Sequence, residues 1–240
     1  MRLAIVNADD FGFSHGVNRG IMEAHERGIV TSASLMVGRP GAAEAAEYAR
    51  ARATLGVGLH VELGRWRVGL LPHRGAARSE GLLRRRAAAE LSGQLERFRA
   101  LLGRDPSHLD SHQHRHRAEL VRPLFEQVAG ELGVPLRRID PRVRFCGDFY
   151  GHDARGRPEP ESITTESLLR VFHELEEGVT EVCCHPGYAD GLADWYREER
   201  EVEIRALCDP RVREAVARLG IRLGTFSELD SVLTGGRERT

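Results

Sequence analysis

Carboxylates and imidazoles gather at four places in this chain: Asn7-Ala8-Asp9-Asp10, Gly58-Leu59-His60-Val61-Glu62, Asp110-Ser111-His112-Gln113-His114 and Cys183-Cys184-His185-Pro186-Gly187. Asp and His are the side chains that hold divalent ions. Zn²⁺ accepts a mixed nitrogen and oxygen set, and Mg²⁺ or Mn²⁺ suits a set richer in oxygen. An ion held this way can polarise a carbonyl and activate water, the chemistry of a metal-assisted hydrolase. Other routes are closed. No Ser-His-Asp or G-x-S-x-G pattern offers a nucleophile. All 35 basic residues are Arg, which excludes a Schiff-base or P-loop lysine.

Each cluster stands at the end of a short apolar run, and those runs alternate with helical patterns along the whole chain. Strands are predicted over 3–6, 31–37, 55–63, 108–112, 136–139, 179–184 and 221–224. Helices are predicted over 17–25, 42–52, 82–102, 118–132, 165–177, 198–207 and 212–219, and a loop over 142–160. Residues 65–86 form a Gly-, Pro- and Arg-rich excursion. Such alternation requires a mainly parallel sheet, because parallel strands need long crossovers. No G-x-G-x-x-G follows the first strand, so a nucleotide-binding open sheet is disfavoured. The expected fold is α/β, a distorted TIM-like (β/α) barrel with residues 1–240 as one domain, and its sites lie at the carboxyl ends of the strands.

The formal net charge is −1, so no global field draws the chain to nucleic acid or an anionic membrane. No stretch is long enough to span a membrane, and the apolar run after Arg2 is too short for a signal peptide. Cys146, Cys183, Cys184 and Cys208 form no C-x-x-C pair, which points to a reduced, cytoplasmic protein. Size and class suggest a homodimer. Solvent exposure is sufficient explanation for His15, His25, His73, His152 and His173, and His108 falls at the start of its strand, away from the rim.

At these residues the chain resembles the YdjC-like carbohydrate deacetylases, a family that includes chitooligosaccharide deacetylases. The resemblance spans almost the whole length. It rests on Ile5-Val6-Asn7-Ala8-Asp9-Asp10-Phe11-Gly12, Gly28-Ile29-Val30-Thr31-Ser32, Gly58-Leu59-His60, His108-Leu109-Asp110-Ser111-His112-Gln113-His114, Cys184-His185-Pro186-Gly187-Tyr188 and Arg200-Glu201-Val202-Glu203. It implies a divalent ion, Mg or Zn, and hydrolysis of N-acetyl groups on amino sugars. It also implies His60 and His112 as ligands, with Asp10 as the third and Asp9 as general base. His114 could replace His112, because alternate residues of a strand share a face. His185, separate from the ion, would supply an imidazolium proton to the departing amine. Trp66 and Trp195 could stack on a sugar ring, and His114 and Tyr188 could also contact substrate. Two rival readings remain: a phosphoesterase-like hydrolase, with Glu62 and Asp110 available for a second ion, and a non-catalytic sugar-binding relative.

Overall fold

The computed structural model describes residues 1–64, 76–153, 155–190 and 196–234. Seven parallel strands run through them: β1 (Arg2–Phe11), β2 (Ser32–Leu35), β3 (Gly56–Val61), β4 (Leu109–Ser111), β5 (Val143–Cys146), β6 (Gly178–Cys184) and β7 (Ile221–Leu223). The order is β4-β3-β2-β1-β6-β5, with β7 pairing the start of β1. The sheet curls into a half-barrel, as a distorted TIM-like barrel requires. Helices return the chain between strands: α1 (His15–Glu26), α2 (Ala42–Ala51), α3 (Ala76–Leu102), α4 (Arg122–Leu132), α5 (Thr165–Glu174), α6 (Glu198–Leu207), α7 (Pro210–Arg218) and α8 (Leu229–Thr234). Ser14 starts α1 by accepting from the Val17 amide, and Val17, Ile21 and Ala24 bury one stripe of that helix. Among the described residues no helix is long and apolar enough to cross a membrane.

Three expectations change. Residues 136–139 make no strand; Leu136 contributes one parallel bridge to Leu109 on the free edge of β4. Within 142–160, where no period was legible, β5 forms as the edge strand beside β6. The strand expected over 108–112 is shorter. Leu109–Ser111 remain extended, and His112–Arg117 wind into a 3₁₀ segment broken by left-handed Gln113 (φ 56°) and His114 (φ 51°). Ser111 fixes this turn, its Oγ accepting from the His116 amide at 2.8 Å and meeting His116 Nδ1 at 3.0 Å. His112 and His114 are therefore not alternate residues of one strand.

The strands divide the core by period two. On the helix side, Ala33 and Leu35, Val57 and Leu59, and Val182 and Cys184 pack as an apolar layer. The intervening residues make a buried polar set: Asn7 and Asp9, Ser32 and Ser34, His60, His108 and Asp110, and Glu181. Ser34 Oγ lies within hydrogen-bond reach of Asn7 Nδ2, His108 Nε2 and Asp110 Oδ2, at 3.0, 3.0 and 3.3 Å. Gly58 is needed here because a Cβ would meet the His108 ring at 2.3 Å. His108 thus stands one layer below the rim, against Ser34.

Candidate active site

Asp9 and Asp10 follow one another at the end of β1, where strict alternation would send them to opposite faces. Asp10 escapes this by adopting φ 68°, and the β1–β2 register shifts at the same point. A non-glycine residue held there costs about 1–3 kcal/mol, strain of a kind that collects at functional sites. Both carboxylates consequently line one cavity of about 1160 Å³ at the carboxyl ends of the strands, together with His60, His112, His114 and His185.

Asp10, His60 and His112 converge. Asp10 Oδ1 lies 3.7 Å from His60 Nε2 and 3.4 Å from His112 Nδ1, and the three residues offer ligand atoms mutually within 4.8 Å. This donor set fits a divalent ion on three grounds. Asp10 Oδ1 is buried and makes no hydrogen bond of normal geometry, while Oδ2 is held by Arg200 at 2.6 Å. Burial disfavours the Asp10 carboxylate, but Arg200 and His112 outweigh it and hold the group well below the usual range. His60 Nδ1 meets Asp110 Oδ1 at 2.9 Å, the carboxylate–histidine support that aims the other ring nitrogen at a metal. Burial alone would lower the His60 pKa, yet Asp110 overrides it and raises it to about 9, so uptake of an ion must displace a proton there.

Beneath these groups lies Arg137, fully buried. It donates to Asp9 Oδ1 at 2.6 Å, to Asp110, and through Nε to Glu181 at 2.8 Å. Burial opposes ionisation of Asp9 and Asp110, but Arg137 together with His60 keeps both below the usual carboxylate range. With Oδ1 engaged, Asp9 turns Oδ2 towards His185, whose Nε2 is 3.9 Å away. Burial pushes the His185 pKa down to about 4, against the pull of Asp9 and Asp10. At neutral pH His185 is therefore a neutral imidazole, where a standing imidazolium was expected.

Helix α6 braces this side. Glu203 accepts the His185 amide and the Tyr196 hydroxyl, and Arg200 Nη1 reaches His185 O at 3.3 Å. Tyr150 stacks on Tyr196 (4.9 Å, 9° between planes) and stands 5.1 Å from the His185 ring, forming an aromatic wall.

A family model for YdjC-like proteins matches residues 3–218. The chain belongs to the YdjC-like family. It is 37% identical over 250 residues to a carbohydrate deacetylase of Geobacillus stearothermophilus, covering 95% of this chain and 98% of that one. It is 35% identical over 257 residues to a chitooligosaccharide deacetylase of Serratia marcescens, covering 95% and 99%. Among solved structures, a proposed cellobiose-phosphate cleavage protein from Enterococcus faecalis V583 superposes with a TM-score of 0.75 at 27% identity, covering 95% and 98%. A family 4 carbohydrate esterase from Streptomyces lividans shares the fold, with a TM-score of 0.54 at 16% identity over 94% and 91%.

Of the residues singled out in the sequence, Asp9, Asp10, His60, His112 and His185 meet in this cavity of a YdjC-like protein. His114 lines it too, but its ring packs 5.6 Å from Phe145 and 6.1 Å from His116, apart from the Asp10–His60–His112 group. Tyr188 is a correction. Its hydroxyl donates to Glu23 at 2.5 Å and Arg19 covers its ring, so it packs on α1 instead of lining the cavity. His152, read as a solvated loop residue, is buried in the cavity wall beside Glu199. Glu62 pairs with Arg39; Asp110 is engaged by His60 and Arg137, and where it converges with Asp9 and His60 the group reuses His60 of the Asp10–His60–His112 set. Trp66, His73 and Trp195 lie outside the described residues. Arg137, Tyr150 and Tyr196 gave no sequence signal. Arg200 and Glu203 were visible only as part of the resemblance, although their spacing of three puts them on one face of a helix.

Proposed function

We propose that this chain is a divalent-metal-dependent carbohydrate deacetylase acting on N-acetylated amino sugars or short chitooligosaccharides. The observation that carries this reading is the Asp10–His60–His112 group beside Asp9 and His185, in a chain whose relatives bear deacetylase names. When bound by these three residues, a divalent ion, Mg or Zn, supplies Lewis-acid polarisation of the acetyl carbonyl and lowers the pKa of the attacking water. Asp9, kept ionised by Arg137, takes the water's proton through Oδ2. His185, neutral at rest, receives a proton from the Asp9 side and passes it to the amine as the C–N bond breaks. Arg200 fixes Asp10 and the His185 carbonyl together, so ligand and acid keep one spacing. Tyr150 and Tyr196 exclude water from the far side of His185. The unpaired cysteines suit a reducing compartment, and we place the protein in the cytoplasm.

The direct test is acetate release from N-acetylglucosamine, N,N′-diacetylchitobiose and longer oligomers, with the metal varied. No release from any of them under any metal would overturn the activity. His185→Ala should lower kcat by about two to four orders of magnitude, the usual worth of a positioned acid, with metal content unchanged. An acetate ester with a leaving group that needs no proton should still be hydrolysed almost normally. Loss of metal, or equal loss of ester and amide hydrolysis, would make His185 something other than the acid.

A further inference from the structure

Asp9, Cys183 and His185 form a second group of convergent donors, sharing no residue with Asp10, His60 and His112. Strand pairing produces it. Asn7 lies opposite Cys183 in the β1–β6 register and Ala8 opposite Cys184, so one step further sets Asp9 opposite His185. Period two then puts Cys183 and His185 on the cavity side of β6, and Cys184 on the helix side, where its Sγ reaches Asn7 O. Cys183 Sγ lies 3.7 Å from Asp9 Oδ2, which is 3.9 Å from His185 Nε2, and all three ligand atoms fall within 4.8 Å of one another. Cys183 lines the cavity, so an ion entering from solvent reaches it. His185 Nδ1 is buried and makes no hydrogen bond in the described structure. Burial, with Asp9 beside it, holds the Cys183 thiol well above its usual range; Arg137 Nη2, 3.6 Å from Sγ, opposes this, so an incoming ion has to displace the thiol proton.

We infer that Asp9, Cys183 and His185 make a second, thiolate-containing cation site, selective for a soft ion such as Zn²⁺ over Mg²⁺, whose occupation shuts the enzyme down. The selectivity follows from the donors. A thiolate binds Zn²⁺ strongly and Mg²⁺ scarcely at all, whereas Asp10, His60 and His112 accept either. The thiol proton goes to solvent as the sulfur lone pair is donated to the ion. The inhibition rests on the deacetylase reading, because zinc at this site ties up the proposed base and acid at once. The site itself does not depend on that reading.

The site is read by metal content and spectroscopy. After equilibration with Zn²⁺ and removal of free metal, the wild-type chain should retain about two ions and Cys183→Ser about one. The Co²⁺-loaded wild type should show near-ultraviolet thiolate-to-cobalt charge-transfer absorption, absent in Cys183→Ser and in Cys183→Ala. A single zinc in the wild type, two retained in both variants, or no charge-transfer band would each overturn the site. With Mg²⁺-activated enzyme, the zinc concentration giving half inhibition should rise at least about tenfold in Cys183→Ser. A charge-transfer band without zinc inhibition would confirm the site and count against Asp9 and His185 as base and acid.

Discussion

Replacing His60 by alanine should remove the bound ion and the activity together. His60 offers its Nε2 beside Asp10 Oδ1, and no other described imidazole except His112 stands that close to the carboxylate. Loss of Lewis-acid stabilisation worth several kcal/mol corresponds to a fall in kcat/KM of about three orders of magnitude or more. Metal analysis of the purified variant should find it essentially empty. Asp110→Asn makes the informative contrast. Asp110 holds the Nδ1 side of His60 and in the proposed centre supports that ligand from behind, so its loss should weaken metal affinity by about 10- to 100-fold, and excess metal should restore much of the activity. If His60→Ala kept its metal, or Asp110→Asn could not be rescued by it, the proposed division between ligand and support would fall.

Arg137→Leu should be the most damaging single change to stability. It removes the guanidinium that Asp9, Asp110 and Glu181 share, and breaking a buried pair from one side costs about 3–5 kcal/mol. Its pH dependence is distinctive. In the wild type, Asp9 and Asp110 have pKa values below those of the unfolded chain. Their contribution is therefore present above about pH 4 and is lost as pH falls through the folded values. Without Arg137, Asp9 loses the largest charge that offsets its burial and its pKa rises, while His60 goes on favouring the Asp110 carboxylate. At Asp9 the folded state then binds more protons than the unfolded chain, and the contribution of that group drops as pH rises above about 4. Denaturant unfolding should show the gap between the two proteins widest near neutral pH and narrowing towards about pH 4. A gap independent of pH would mean that Arg137 acts by packing alone. Arg137→Lys should not rescue the protein, since one ammonium cannot serve three separated carboxylates with the fork geometry of a guanidinium.

The composition of α6 shows how much a helix can reveal before its place is known. Its bounds, Glu198–Leu207, coincide with those read from the sequence, and its acidic first turn suits the N-terminal end of the helix dipole. Which neighbours Arg200 and Glu203 would meet depended on α6 packing across the end of β6, a long-range contact that no local pattern encodes.

The sequence by itself determined the alternation of strands and helices. It also determined the residues at the strand ends, Asp9, Asp10, His60, His112 and His185, because a parallel sheet brings all its carboxyl ends to one rim. Period two in the strands was legible as well, and it already placed Cys183 and Cys184 on opposite faces. The tertiary structure decided the rest. Arg137 comes from four residues that make a single bridge, and a long side chain reaching across the interior leaves no periodic trace. Tyr150 and His152 come from a stretch whose conformation is set by β6 and α6. The left-handed turns at Asp10, Gln113 and His114 separate His112 from His114 and bring the two aspartates together. Such conformations are intrinsically unfavourable for these residues, so only the surrounding contacts could impose them.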